Sequence, residues 1–218
     1  MNPTVRRFPW TVGVGLVLVI LMVSIAFVFT KAKAEAERRE SLPIYGPVAD
    51  FSLTNQNNAA VSLADLRGRV WIADIIFTRC PGPCLRMTRQ MKELQEALPK
   101  DARTKLISLT TDPDYDTPAI LKTYAERAGA DWSRWTFLTG TKIQIADLAT
   151  GSLKLSAVEK KPGERASPDD LWVHSTIFVI VDKHAQLRGV FQTGGEDVDW
   201  KVEKQKILDA AQQLEREP

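Results

Sequence analysis

Only two cysteines and two histidines occur among the 218 residues. One pair of sulfurs is therefore all the thiol chemistry available, and a metal site that uses imidazole must draw on His174 or His184. A basic excess is lacking as well. Beyond residue 30 the basic and acidic side chains balance at 27 each, so nothing points to a nucleic-acid partner, which favours a clustered positive surface. The chain contains no internal repeat.

Charge is missing altogether from Phe8 to Thr30, and WTVGVGLVLVILMVSIAFVF approaches the roughly 20 apolar residues that a helix needs to cross a bilayer. This predicts a membrane anchor over residues 1–30. A cleaved signal peptide is the rival reading, because Ala32, Ala34 and Ala36 offer small-residue cleavage patterns, yet the run exceeds the usual core of about 7 to 15 residues. KAKAEAERRESLP, residues 31–43, is charged and reads as a tether able to continue the anchor as a helix. One folded domain is expected over residues 44–218.

Lys31, Lys33, Arg38 and Arg39 outnumber Arg6 and Arg7, so a plain charge count puts the C-terminal side in the cytoplasm. Against that count, long downstream domains cross largely regardless of charge, and a vicinal dithiol suits an oxidising compartment. The few residues before the span leave no room for a long mitochondrial presequence. The expectation is a single-pass protein of a bacterial cytoplasmic membrane with its C-terminal domain in the periplasm.

Within the domain, residues 70–77 (VWIADIIF), 105–110 (KLISLT) and 176–181 (TIFVIV) are β-branched, nearly continuous apolar runs that suit central strands. A further strand is expected at 187–191, and a small hairpin in FSLTNQNNAAVSLADLRGRV. Met87, Met91, Leu94 and Leu98 recur at helical spacing and mark a half-buried helix, which makes the methionines core residues rather than ligands. More helices are expected at 118–128, 142–149 and 200–214, and a mobile loop at 156–170. The order predicts an α/β domain with a mixed sheet.

Cys80 and Cys84 enclose Pro81, Gly82 and Pro83 where strand gives way to helix. A helix N-terminus favours a thiolate, so either sulfur is expected to ionise readily. Four residues of helical rise, about 6 Å, lie within reach of a disulfide. A disulfide closing so short a loop stabilises little by chain entropy, which argues against a purely structural pair. Reduced, the two sulfurs suit Cu(I) or zinc, and an added imidazole also accommodates Cu(II). His174 precedes a predicted strand, whereas His184 lies in a turn.

The stretches CPGPC, TTDPDYDTPAILKTYA, WTFLTG and HSTIFVIVD, in this order and spacing, resemble the Sco/SenC family of copper-binding cytochrome c oxidase assembly proteins, over about 47–214. The resemblance implies a thioredoxin-like mixed sheet flanked by helices; the soluble domain is expected to be monomeric. It implies copper, as Cu(I) or Cu(II), held by Cys80, Cys84 and His174, with Asp112 matching an aspartate placed near the metal in that family. It also implies delivery of copper to the CuA centre of cytochrome c oxidase subunit II, or reduction of the cysteines of that centre. Leu85 and Val173 depart from the family, which commonly has proline and an acidic residue there. FTRCP is similar to peroxiredoxins too, but the tightly spaced second cysteine argues against a peroxide site.

Asp74 stands six positions before Cys80, an arrangement that resembles thioredoxins. Alternation puts it on one strand face with Ile72 and Ile76, opposite Trp71, Ala73, Ile75 and Phe77. Buried there, its pKa would rise by desolvation and it would serve as a proton acceptor in thiol exchange; a sheet-edge position would leave it an ordinary exposed carboxylate. In that alternative function, a thiol-disulfide oxidoreductase, Cys80 attacks and Cys84 resolves. Asp116, ahead of Thr117 and Pro118, is read as a helix cap.

Overall fold

The computed structural model describes residues 10–37, 42–80, 82–165 and 172–218, and for 10–12, 32–37, 157, 162 and 172–174 the backbone only. The first compact unit is helical: α1 runs Trp10–Glu37. Its stretch Gly13–Lys31 is long and apolar enough to cross a membrane. Helix thus continues through the first part of the expected tether.

The second unit begins at Leu42. Its strands are β1 (Gly46–Pro47), β2 (Ser52–Asn55), β3 (Ala60–Ser62), β4 (Trp71–Ile76), β5 (Lys105–Thr110), β6 (Trp135–Thr139), β7 (Ala157–Glu159), β8 (Trp172–His174), β9 (Ile177–Val181) and β10 (Gln186–Gln192). The helices are α2 (Leu63–Leu66), α3 (Pro83–Ala97), α4 (Pro118–Ala128), α5 (Lys142–Ala146) and α6 (Trp200–Arg216). Eight strands form one sheet in the order β1-β10-β9-β4-β5-β6-β2-β3, and β7 pairs with β8 separately.

Strands β4, β5 and β6 are parallel, while β9 joins β4 antiparallel, so the sheet is mixed. Every residue of β4 is buried, as continuous apolar character requires of a strand covered on both faces. One face packs Ile72 and Ile76 beneath Met87, Met91 and Leu94 of α3, Leu121 of α4 and Ile207 of α6. The other packs Trp71, Ala73 and Ile75 against Leu63, Ile145 and Leu148. Phe77 joins the α3 side instead of the face predicted for it, because the strand ends at Ile76 and alternation stops there.

The methionine helix, the hairpin and the central strands stand as expected. Three segments differ. The hairpin of β2 and β3 extends the sheet through β6, a strand beyond those expected from apolar runs. The helix expected at 142–149 is α-helical only to Ala146, then widens into a π-helical turn, Asp147–Ser152, whose Ser152 hydroxyl accepts from the Ala49 amide at 3.1 Å. The expected loop at 156–170 opens with β7, because its backbone finds partners in β8; residues 166–170 lie outside the described residues.

The domain closes on Arg188, only 5% exposed. Its Nη1 meets Asp182 at 2.7 Å and Glu217 at 2.8 Å, and its Nη2 donates to the Leu42 carbonyl at 2.8 Å.

Candidate metal and redox site

Strand β4 delivers the chain to a turn in which the Cys80 amide donates to the Phe77 carbonyl at 3.2 Å. Gly82 then caps α3 and Pro83 takes its first position, where a missing N–H costs nothing. Cys84 is consequently the second helical residue, in the first turn as expected. Its sulfur accepts from the Phe77 amide at 3.4 Å, folding the helix start back over the strand end. Both cysteines are thiols and both are buried, Cys80 at 7% exposure and Cys84 at 1%.

Burial pushes the Cys84 thiol far above its ordinary value, and a hydrogen bond and charge interaction with Cys80 push it further. This corrects the expectation that the helix N-terminus would make Cys84 ionise readily. Loss of water around the sulfur outweighs the Phe77 amide, which favours the thiolate. The two sulfur-bearing side chains are in mutual contact, and the more exposed is Cys80.

Asp74 lies at the middle of the sheet, 0% exposed, beside Ser108 of β5 in register. It shares the α3 face with the cysteines and not a sheet edge, and its charge acts on both Cys84 and Tyr124. Tyr124 of α4 shares a 2.7 Å hydrogen bond with Thr88, one helical turn beyond Cys84. Burial raises the Tyr124 phenol, and the Thr88 bond opposes this. Sequence reasoning missed both residues. Thr88 was findable by its i+4 spacing from Cys84, whereas nothing in the sequence points from Tyr124 to the dithiol.

Asp112 follows β5 and pairs with Arg79, the neighbour of Cys80, at 2.6 Å. The Arg79 guanidinium also lies over the Tyr115 ring, 3.9 Å from its centroid. Asp116 is not the helix cap; that role falls to Thr117, whose hydroxyl accepts from the Ile120 amide at 3.4 Å. Fully buried, Asp116 instead accepts from the Thr78 amide at 3.1 Å and from the hydroxyls of Thr78 and Thr110. Burial raises its carboxyl above the usual carboxylate range, and those hydrogen bonds oppose the rise.

His174 ends β8, with its backbone opposite Ala157 and three residues ahead of β9; its side chain lies outside the described residues. The segment after it is pinned: Ser175 donates to the Ser156 carbonyl at 2.8 Å, and the Thr176 carbonyl accepts from the Thr193 amide at 2.9 Å. His184 is exposed in the turn between β9 and β10, where its Nε2 lies 2.9 Å from the Pro218 carbonyl. The structure thus brings together Cys80, Cys84 and Asp74, ties Asp112 to Arg79, the residue before Cys80, and leaves His184 apart.

Comparison with known proteins agrees with this architecture. The SCO1/SenC family model matches residues 45–207. A SCO1 protein homolog of Bacillus subtilis is 34% identical over 162 residues, covering 72% of this chain and 81% of the relative. A protein of Stutzerimonas stutzeri, provisionally named copper-binding, is 32% identical over 152 residues, covering 68% and 70%. The solved structure of BsSco, described as a Sco-family cytochrome c oxidase assembly protein with a disulfide switch, superposes with a TM-score of 0.61 at 27% identity, covering 79% of this chain and 98% of that one. The mixed sheet with its flanking helices is the Sco-like thioredoxin fold. With the dithiol at the end of its central strand and the family match spanning β1 to α6, the chain belongs to the SCO1/SenC family.

Proposed function

We propose that this protein is a membrane-anchored copper chaperone in which Cys80, Cys84 and His174 hold copper as cargo for the CuA centre of cytochrome c oxidase subunit II. The observation that carries the reading is the contact between two buried thiols at a helix start, a pre-arranged pair of soft donors. Binding displaces both protons, so with the Cys84 thiol raised by burial the ion must compete against a tightly held proton, and loading should weaken as pH falls. The family match and the name of the Stutzerimonas relative support copper as the ion. Residues 1–30 anchor the chain in the bacterial cytoplasmic membrane, residues 31–43 are the tether, and the domain works in the periplasm, where oxidase assembly takes place. Asp112 is the fourth candidate donor and reaches the metal only if its Arg79 ion pair opens.

Titration of the reduced protein with Cu(I) against a competing chelator tests the donor set. Affinity is expected to fall sharply for Cys80→Ser and for His174→Ala, and unchanged affinity in both would remove the site. Disulfide formation between Cys80 and Cys84 should abolish binding.

A specific observation favours a second reading, a thiol-disulfide oxidoreductase. Asp74 is buried on the cysteine face, where a carboxyl can take the proton that a resolving cysteine must lose. The disulfide switch in the BsSco description points the same way. Here Cys80 attacks the target disulfide, and Cys84 resolves the mixed disulfide while releasing the target as a thiol. A Cys84→Ser variant should trap that mixed disulfide, and reductase activity surviving loss of both cysteines would defeat this reading.

A further inference from the structure

Two residues of α3 reach a segment more than one hundred positions away. Gln90 is 4% exposed, and its Nε2 donates to the Thr193 carbonyl at 2.8 Å. One turn earlier, Arg86 lies against Gly194 so closely that a Cβ at that glycine would sit 2.0 Å from Nη2. Thr193, 1% exposed, in turn spends both of its donors on one atom: its amide and its hydroxyl reach the Thr176 carbonyl at 2.9 and 2.7 Å.

These contacts join α3, whose second residue is Cys84, to the short segment between His174 and β9. Gln90 lies six residues after the cysteine, and Thr176 two residues after the histidine. Because the Gln90 Oε1 is buried without a hydrogen bond among the described residues, the amide is oriented by the Thr193 contact alone. A reversed amide would oppose two oxygens. On the other side of His174, Val173 pairs with Val158 and Trp172 with Glu159, and His174 itself lies opposite Ala157. The histidine backbone is therefore fixed from both flanks, by the hairpin and by α3.

We infer that Gln90 and Arg86 are positioning residues that set the His174 strand against the dithiol, through Thr193 and Thr176. The inference rests on the copper reading for its functional consequence, but the mechanical link itself is independent of metal. The clamp touches no donor directly. It acts by keeping the imidazole-bearing strand in register with the helix that supplies Cys84, so that donors from the turn after β4, from α3 and from β8 meet without a large ordering cost on binding.

The test uses the full-length chain, reduced and in detergent, with Cu(I) as probe. Gln90→Met keeps volume and removes the donor. Gly194→Ala evicts only the flexible end of Arg86 and serves as the second variant should the first fold poorly. Each is expected to weaken Cu(I) binding about tenfold, as outer-shell changes typically do. The same substitutions made in a His174→Ala background should change affinity by less than about twofold, since coupled residues are non-additive. In the metal-free protein, amide exchange at residues 174–177 should accelerate while β4 and β5 stay protected. Equal losses with and without His174, or unaltered exchange and affinity, would overturn the clamp. If the wild-type chain binds Cu(I) no better than Cys80→Ser, the copper reading fails and takes the clamp's role in binding with it; that control separates the two failures.

Discussion

Asp116 receives three hydrogen bonds while fully buried, and two of them come from Thr78, two residues before Cys80. It therefore holds the turn that presents the first cysteine. Asp116→Ala strands those donors away from water, at about 1–3 kcal/mol for each one left unsatisfied. We expect the reduced protein to lose about 2–4 kcal/mol in denaturant unfolding, together with Cu(I) affinity. A loss below about 1 kcal/mol would show that Thr78 finds other partners. Such a role is invisible in the sequence, where Asp116 next to Thr117 and Pro118 has every mark of a cap. The partner Thr78 is 38 positions away, and no local rule relates them. Asp74 is the intermediate case: its apolar neighbours on both strand faces suggest burial, but a sheet-edge position stayed open in the sequence and is excluded only by the pairing of β4 with both β5 and β9.

At the scale of elements, α3 is held to α6 as well as to the sheet. Glu93 accepts from Lys204 Nζ at 2.7 Å and from the Trp200 indole at 3.0 Å, and these bonds, Lys204 first, hold its carboxyl below the usual range. A lowered folded value means that the contribution is present above the ordinary glutamate value near 4.5 and is lost as pH falls through the folded one. The pair is partly exposed, so solvent screening limits it to about 0.5 kcal/mol. Glu93→Gln should therefore cost that much at pH 7, and wild type and variant should converge in denaturant titrations as pH is lowered through the folded value. A constant gap across that range would reject the ionic contribution.

Elements with a strong intrinsic signal were legible: β4 and β9 by apolar continuity, α3 by its methionine and leucine spacing, α4 by the run Asp116, Thr117 and Pro118 at its start. β6 was not, because Trp135–Thr139 alternates weakly and becomes a strand only by lying between β5 and β2. The pairing of β7 with β8 was hidden for a similar reason. Ala157 and His174 are neighbours only after the chain has turned back on itself, and three-residue strands leave little periodicity to read. The pairing of Cys80 with Cys84 was readable from spacing; the depth at which Cys84 is buried was not, since it depends on α4 and α6 closing over α3.

For the whole molecule, the anchor reading makes a direct prediction. Helix α1 continues to Glu37, past the end of the apolar stretch at Lys31, and carries no break at the alanines that offer cleavage. The protein recovered from bacterial membranes should keep the mass of the uncleaved chain and resist extraction by alkaline carbonate. A shorter, carbonate-soluble form beginning after Ala32, Ala34 or Ala36 would establish a signal peptide instead. Periplasmic orientation is checked separately, by protease added to spheroplasts: the domain should be digested while cytoplasmic markers survive.

The guanidinium of Arg188 touches the Leu42 carbonyl and the Glu217 carboxylate at the same distance, 2.8 Å. The polypeptide thus enters and leaves the domain at one address, and a linker of a few residues is enough to sew those ends together. Reopened elsewhere, in the exposed turn between β2 and β3 for instance, the circularly permuted chain should fold with its dithiol intact. The route the ribosome takes through this fold is one choice among several that lead to the same object.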